Sequence, residues 1–166
     1  IAPHDDSTGT WYATRLESET ALPAEPVDIS GIWSRISAGM EKVFLDYTDT
    51  AQAKVEQYTY LDDPGLRCVS PALVRISGWP YPMEILQNEK QISILYESYR
   101  EVRRIYMDDK ELPEYFPNSA MGYSTGHWEG STLVIETSLL KAAFVDQAGQ
   151  PISENARVVE RIVMSE

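Results

Sequence analysis

Apolar and polar residues alternate much more regularly over the second half of this chain than over the first. Met83 to Gln87 and Gln91 to Tyr99 read as strands joined around Asn88; in the second, Ile92, Ile94 and Tyr96 alternate with Ser93, Leu95, Glu97 and Tyr99. A period of two sends successive side chains to opposite faces of a sheet. Val102 to Met107 continues the pattern and ends in a turn at Asp108-Asp109, and Leu112 to Ser119, with Pro113 and Pro117, reads as a loop. Arg157 to Met164 is the last strand, reached by a loop through Gly149-Gln150-Pro151. Upstream, Ile29 to Arg35 reads as the first strand. Thr48 to Tyr60 is the helix: Thr48 or Asp49 can cap it, and Ala51, Val55 and Tyr58 form one apolar stripe. It ends before the turn Asp62-Asp63-Pro64-Gly65, and Trp79-Pro80-Tyr81-Pro82 is a rigid extended connector. Residues 1–27 carry few periodic apolar positions and read as an irregular arm, with Trp11, Tyr12 and Leu16 available for docking. Short sequential strands separated by turns imply an antiparallel meander that curls into a barrel or sandwich. The expectation is therefore a mostly β chain: one antiparallel β-barrel over residues 28–166, one short helix, and an N-terminal arm over residues 1–27.

Met121 to Thr137, MGYSTGHWEGSTLVIET, is where this pattern meets possible chemistry. With Glu129-Gly130 as a two-residue turn, Trp128 lies opposite Ser131, His127 opposite Thr132, Gly126 opposite Leu133, Thr125 opposite Val134 and Tyr123 opposite Glu136. One face then carries Trp128, Leu133 and Ile135 with the small Gly126 and Ser124, and reads as core. The other carries Tyr123, Thr125, His127, Thr132, Val134 and Glu136. That face is either a solvated surface with cross-strand pairing or the polar wall of a cavity.

In the second case His127, Tyr123 and Glu136 form a candidate catalytic set. An imidazole exchanges a proton near neutral pH, a neighbouring carboxylate orients it, and a phenol donates to a developing oxyanion. Such a set suits elimination, isomerisation or ring closure with no cofactor. Arg103 and Arg104 point to opposite faces of their strand. An inward arginine either holds a substrate anion or pairs with a structural carboxylate such as Glu84, Glu97 or Glu160. Tyr96, Tyr99, Trp79, Tyr81 and Trp128 are candidate lining for a flat or apolar ligand, in a chain with ten Tyr and four Trp; strands also favour aromatic residues for packing alone. Gly122-Tyr123-Ser124-Thr125-Gly126 matches G-x-S-x-G literally, but its strand-to-strand surroundings lack the helix that a nucleophile elbow needs.

Composition narrows the partners. A net charge of -12 disfavours nonspecific binding to nucleic acid or anionic membranes, and no apolar run is long enough to span a bilayer. With only His4 and His127, and no metal-ligand spacing, no metal site is expected; the Asp pairs at 5–6, 62–63 and 108–109 read as solvated turns. The single cysteine, Cys68, excludes an intrachain disulfide and reads as a small buried residue. The start at Ile1 rather than Met is read as either a removed signal peptide or a trimmed sequence; the first reading is preferred and implies export.

Several segments resemble a widespread group of exported bacterial proteins built around G-x-S-x-G-x-W-E-G-D-T-L-V-x-x-T. The segments are ISGIWSR, DDPGLRC, PYPMEILQ, ILYE followed by VRRIYMD, GYSTGHWEGSTLVIET and PISENARVVER, in the group's order, over roughly residues 28 to 161. The resemblance implies a single lipocalin-like β-barrel in the periplasm or outside the cell. The chain departs from the group where Tyr123, Leu112 and Ile152 stand in place of histidines, and where His127 stands in place of an arginine. The group also continues with a further strand whereas this sequence stops at Glu166, so the last sheet edge here is expected to be open, paired with another subunit, or trimmed.

These readings leave three functions in view. The leading one is a cofactor-independent lyase, isomerase or cyclase acting on a small apolar or aromatic molecule. The second is a carrier of such a molecule. The third is a subunit-interaction protein, with homo-oligomers formed through the C-terminal strand edge.

Overall fold

The computed structural model describes residues 25–34, 47–107, 112 and 114–164. In chain order the described elements are β1 (Gly31–Trp33), α1 (Asp49–Gln57), α2 (Ala72–Ile76), β2 (Met83–Gln87), β3 (Gln91–Tyr96), β4 (Val102–Tyr106), β5 (Tyr123–Glu129), β6 (Thr132–Ser138), β7 (Ala143–Phe144), β8 (Pro151–Ile152) and β9 (Val158–Val163), with three short 3-10 turns. Seven strands form one curled sheet, a half-barrel in the order β1-β2-β3-β4-β5-β6-β9, and β7 and β8 pair separately. Among the described residues no helix is long and apolar enough to cross a membrane.

Three features differ from the sequence expectation. The described strands do not close into a barrel, because β1 and β9 are the two edges of the sheet. Nor is every pairing antiparallel: β4 and β5 run parallel, with Ile105 beside Ser124 and Tyr106 beside Thr125. There is also a second helix. α2 has four buried residues out of five, so it carries no amphipathic period to read. Leu73 and Ile76 of α2 join Ile85, Ile92, Ile94, Ile105, Leu133 and Ile135 in the core. The helix thus fills the hollow of the curl, and burial of that apolar surface replaces sheet closure. The N-terminal arm over residues 1–24 and the turn at residues 108–109 lie outside the described residues.

α1 begins where expected, since the Thr48 hydroxyl accepts from the Ala51 N–H at 3.2 Å. The β5–β6 turn sits one residue later than expected. Gly130 takes a left-handed φ of 60° as the first loop residue, and Glu129 pairs with Thr132. Every cross-strand pair therefore moves by two: Trp128 faces Leu133, Gly126 faces Ile135, Thr125 faces Glu136 and Tyr123 faces Ser138. A shift of two preserves the faces, so Trp128, Gly126, Ser124, Leu133 and Ile135 still point inward. Two of the three glycines of the hairpin motif, Gly122 and Gly126, are steric necessities. Gly122 has φ of 64°, and a Cβ there would lie 2.5 Å from the Ser138 carbonyl oxygen; at Gly126 it would lie 2.8 Å from Ile105 Cγ2.

Arg103 is the largest of the fully buried side chains. It points inward from β4 and crosses β5 and β6 to reach β9. Nε donates to Ser124 Oγ at 3.1 Å, Nη2 donates to Thr137 Oγ1 at 2.8 Å, and Nη1 donates to Glu160 Oε1 at 3.1 Å. Nη2 also donates to the second Glu160 oxygen, which makes the ion pair bidentate. Ser124 and Thr137 share a hydrogen bond of 2.8 Å, and Tyr96 interacts with the same guanidinium. Burial works against the Arg103 charge, but Glu160 and then Tyr96 outweigh it and raise the pKa. The structural partner is thus Glu160 rather than Glu84 or Glu97.

A second buried ion pair anchors the segment before β2. Arg75 Nη1 and Nη2 donate to Asp63 Oδ1 and Oδ2 at 3.2 and 2.8 Å, and Asp63 Oδ1 also accepts from the Gly65 N–H at 2.8 Å. The Arg75 hydrogen bond, opposed by burial, holds the Asp63 carboxyl below the usual carboxylate range. Cys68 closes this turn with φ of 53° and is exposed, contrary to the buried position expected for it.

Removing Arg103 would leave Ser124, Thr137 and Glu160 without their common donor and open a cavity where the guanidinium was packed. Arg103→Ala is therefore expected to lower the unfolding free energy by about 3–5 kcal/mol, measured by urea denaturation. A loss below about 1 kcal/mol, the scale of an exposed pair, would refute the structural importance of the network.

Candidate functional site

The outward face of β4, β5, β6 and β9 carries polar groups in ordered rows. Pairing aligns Tyr106, Thr125, Glu136 and Val159 in one row. In the neighbouring rows Tyr123 faces Ser138, and His127 faces Val134 and then Arg161. Glu136 is thus directly opposite Thr125 and diagonal to both Tyr123 and His127. Diagonal neighbours in an antiparallel pair stand roughly 7–8 Å apart, within reach of long side chains. The three residues expected to be catalytic share one face, with the carboxylate between the other two.

A shallow cleft of about 180 Å³ opens on this face, lined by Leu112, Tyr123, Thr125, Glu136, Thr137, Ser138 and Arg157. Its aromatic wall is packed by ring contacts. Tyr123 is 6% exposed, stacks on Tyr106 at 5.2 Å and 28°, and meets the edge of Phe116 at 5.1 Å. Burial, with the nearby Tyr106 hydroxyl, raises the Tyr123 phenol pKa, so it stays a hydrogen-bond donor at neutral pH. Glu136 lies across the cleft and forms an ion pair with Arg157, both side chains partly exposed.

His127 stands outside the cleft lining. Its Nε2 is 3.3 Å from Glu129 Oε1, with the ring side chain 56% exposed. Glu129 also pairs with Arg161, and the hydrogen bonds from Arg161 and then His127 hold its carboxyl below the usual range. At rest, the hydrogen-bond partner of His127 is Glu129 and that of Glu136 is Arg157.

The residues expected to bind substrate divide among four places. Arg103 and Tyr96 belong to the buried network of the inner face. Trp128 packs against the core from the same face. Arg104 is exposed on the outward face of β4. Trp79, Tyr81 and Tyr99 do come together: Trp79 meets Tyr81 at 5.8 Å and Tyr99 at 5.6 Å, and Arg75 lies 5.7 Å over the Trp79 ring. Tyr99 and Arg100 hold left-handed φ of 57° and 54° in the turn between β3 and β4. That is why β3 stops at Tyr96 instead of running on to Tyr99. This aromatic group flanks α2 and takes no part in the outward cleft.

Sequence reasoning missed Arg157, Ser138 and Leu112. Arg157 reaches Glu136 only because β9 pairs with β6, a long-range register that no local pattern encodes. Ser138 enters because the hairpin register is shifted by two. Among the described residues no group of three His, Cys, Asp or Glu side chains is arranged to hold a metal ion. No family model, curated protein or solved structure matches this chain.

Exposed ion pairs contribute little to stability. Glu136→Gln and Arg157→Ala are each expected to change the unfolding free energy by less than about 1 kcal/mol in urea titrations. A larger loss would mean that this pair supports the fold rather than a site.

Proposed function

We propose that the protein binds a small molecule with a flat apolar body and an anionic group in the outward cleft, and moves a proton on it without a cofactor. The class of reaction is a lyase, isomerase or cyclase. One observation carries this reading: Tyr123 and Glu136 line the same cleft, with Arg157 beside them and His127 diagonal to Glu136. The substrate anion takes the guanidinium of Arg157, and this frees the Glu136 carboxylate from its resting ion pair. The apolar body lies against Leu112 and the Tyr123 ring.

Glu136 then removes a proton from a carbon next to an unsaturated group. The electron pair moves onto the conjugated oxygen, and the Tyr123 hydroxyl donates to it. His127, at the rim, returns a proton at a second position. Arg157 takes the anion-binding part that sequence reasoning gave to Arg103 or Arg104; the donors of Arg103 are committed to Ser124, Thr137 and Glu160. The resemblance to the exported signature group belongs to the same reading. Two of the three positions where that group carries histidine, 112 and 123, line this cleft, on a sheet we read as a lipocalin-like barrel left open and exported from the cell.

Phenylpyruvate is a suitable probe, since it has a flat ring, a carboxylate and an acidic carbon-bound proton. It is expected to shift the amide resonances of Tyr123, Glu136 and Arg157. Arg157→Ala should weaken its binding by about tenfold, roughly 1.4 kcal/mol. In deuterated water the protein should accelerate exchange of the benzylic proton, and Glu136→Gln should abolish that acceleration. Shifts confined to the inner face, or exchange unchanged by Glu136→Gln, would rule out this site.

A further inference from the structure

We propose that β9 pairs antiparallel with β9 of a second copy of this chain, with Arg161 opposite its own counterpart, so that two half-barrels share one continuous sheet. This goes beyond the cleft reading and does not depend on it. The two edges of the sheet differ in kind. Natural edges are blunted by shortness, proline, bulges or unbalanced charge. β1 fits that description, being three residues long with Gly31 at φ of 137°. β9 does not: it has six residues, no proline or glycine, and no strand on its outer side among the described residues. Val159 and Val163 point outward along it and are 50% and 45% exposed.

The occupant follows from charge and symmetry. β9 reads Val-Val-Glu-Arg-Ile-Val, with one carboxylate and one guanidinium, so it is neutral within a chain of net charge -12. A neutral, self-complementary strand can approach its own copy where the rest of the surface repels it. In an antiparallel pair related by a two-fold axis, the outward face of one copy continues the outward face of the other. Residues directly opposite must then have the same parity, which leaves Glu160 or Arg161 at the axis. With Glu160 at the axis, each exposed Val159 would stand opposite Arg161 of the other copy and each Val163 opposite Arg157, so neither valine would be covered by an apolar side chain. With Arg161 at the axis, each arginine keeps its own Glu129 partner and each Val159 meets a partner Val163, so both exposed valines are covered twice over.

The test uses the full chain in a Cys68→Ser background, because Cys68 is exposed and would cross-link on its own. Sedimentation equilibrium should show a dimer that tightens with added salt, as repulsion between acidic surfaces is screened. Val159→Lys should convert it to a monomer that keeps the native circular-dichroism spectrum and a cooperative melt, whose midpoint no longer depends on protein concentration. Arg161→Cys should form an interchain disulfide on mild oxidation, and Val159→Cys, which faces Val163 instead of itself, should not. A monomer at all concentrations, or a dimer indifferent to Val159→Lys, would overturn the proposal. Equal cross-linking through Val159→Cys would overturn the register.

Discussion

The structure depends on the ion pair between Arg103 and Glu160. Arg103 is 1% exposed, so its charge must be matched inside the protein or the fold would not tolerate it. The match comes from β9, three places along the sheet, and the guanidinium passes over Ser124 and Thr137 on the way. The two hydroxyls are small enough to let it through and polar enough to take its remaining donors. A planar guanidinium with several fixed donors can tie four strands together; an ammonium could not do so with the same geometry. The Glu160 end stays partly open to solvent at 27% exposure, which lowers the desolvation cost on the carboxylate side. This bond spans the inner side of the curl and holds the edge strand β9 to the middle of the sheet.

That constraint also explains where the candidate site lies. The inner face is occupied by Arg103, by isoleucines from β2, β3, β4 and β6, and by Leu73 and Ile76 of α2. The functional groups that remain point outward, and Arg157 joins Tyr123 and Glu136 only while β9 is paired with β6. Arg157 sits one residue before β9, and its reach to Glu136 follows from the pairing of Glu136 with Val159. One bond on the inner face therefore supports an arrangement of charges on the outer face.

Much of the sheet was legible because alternation is local. β2 and β4 follow directly from it, and the inward and outward sets of β5 and β6 survive even a misplaced turn, since a shift of two conserves parity. Thr48 as a helix cap is equally local. What escaped was set by distant contacts. The parallel register of β4 and β5, the open sheet, the buried α2 and the exposure of Cys68 depend on how segments pack rather than on their periods. The same division runs through the site. Tyr123, Glu136 and His127 were legible as sharing a face. The ion pairs Glu136–Arg157 and Glu129–Arg161, which set their resting partners, required the β6–β9 register.

Native-state hydrogen exchange on Glu160→Gln measures the central bond most directly, because it reports local opening strand by strand. If Arg103 and Glu160 hold the edge in place, amides of β9 and of the facing side of β6 will lose protection in the variant, and those of β2 and β3 will keep most of theirs. Unchanged protection along β9 would contradict the account, for it would mean that the edge strand is held by the β6 ladder alone.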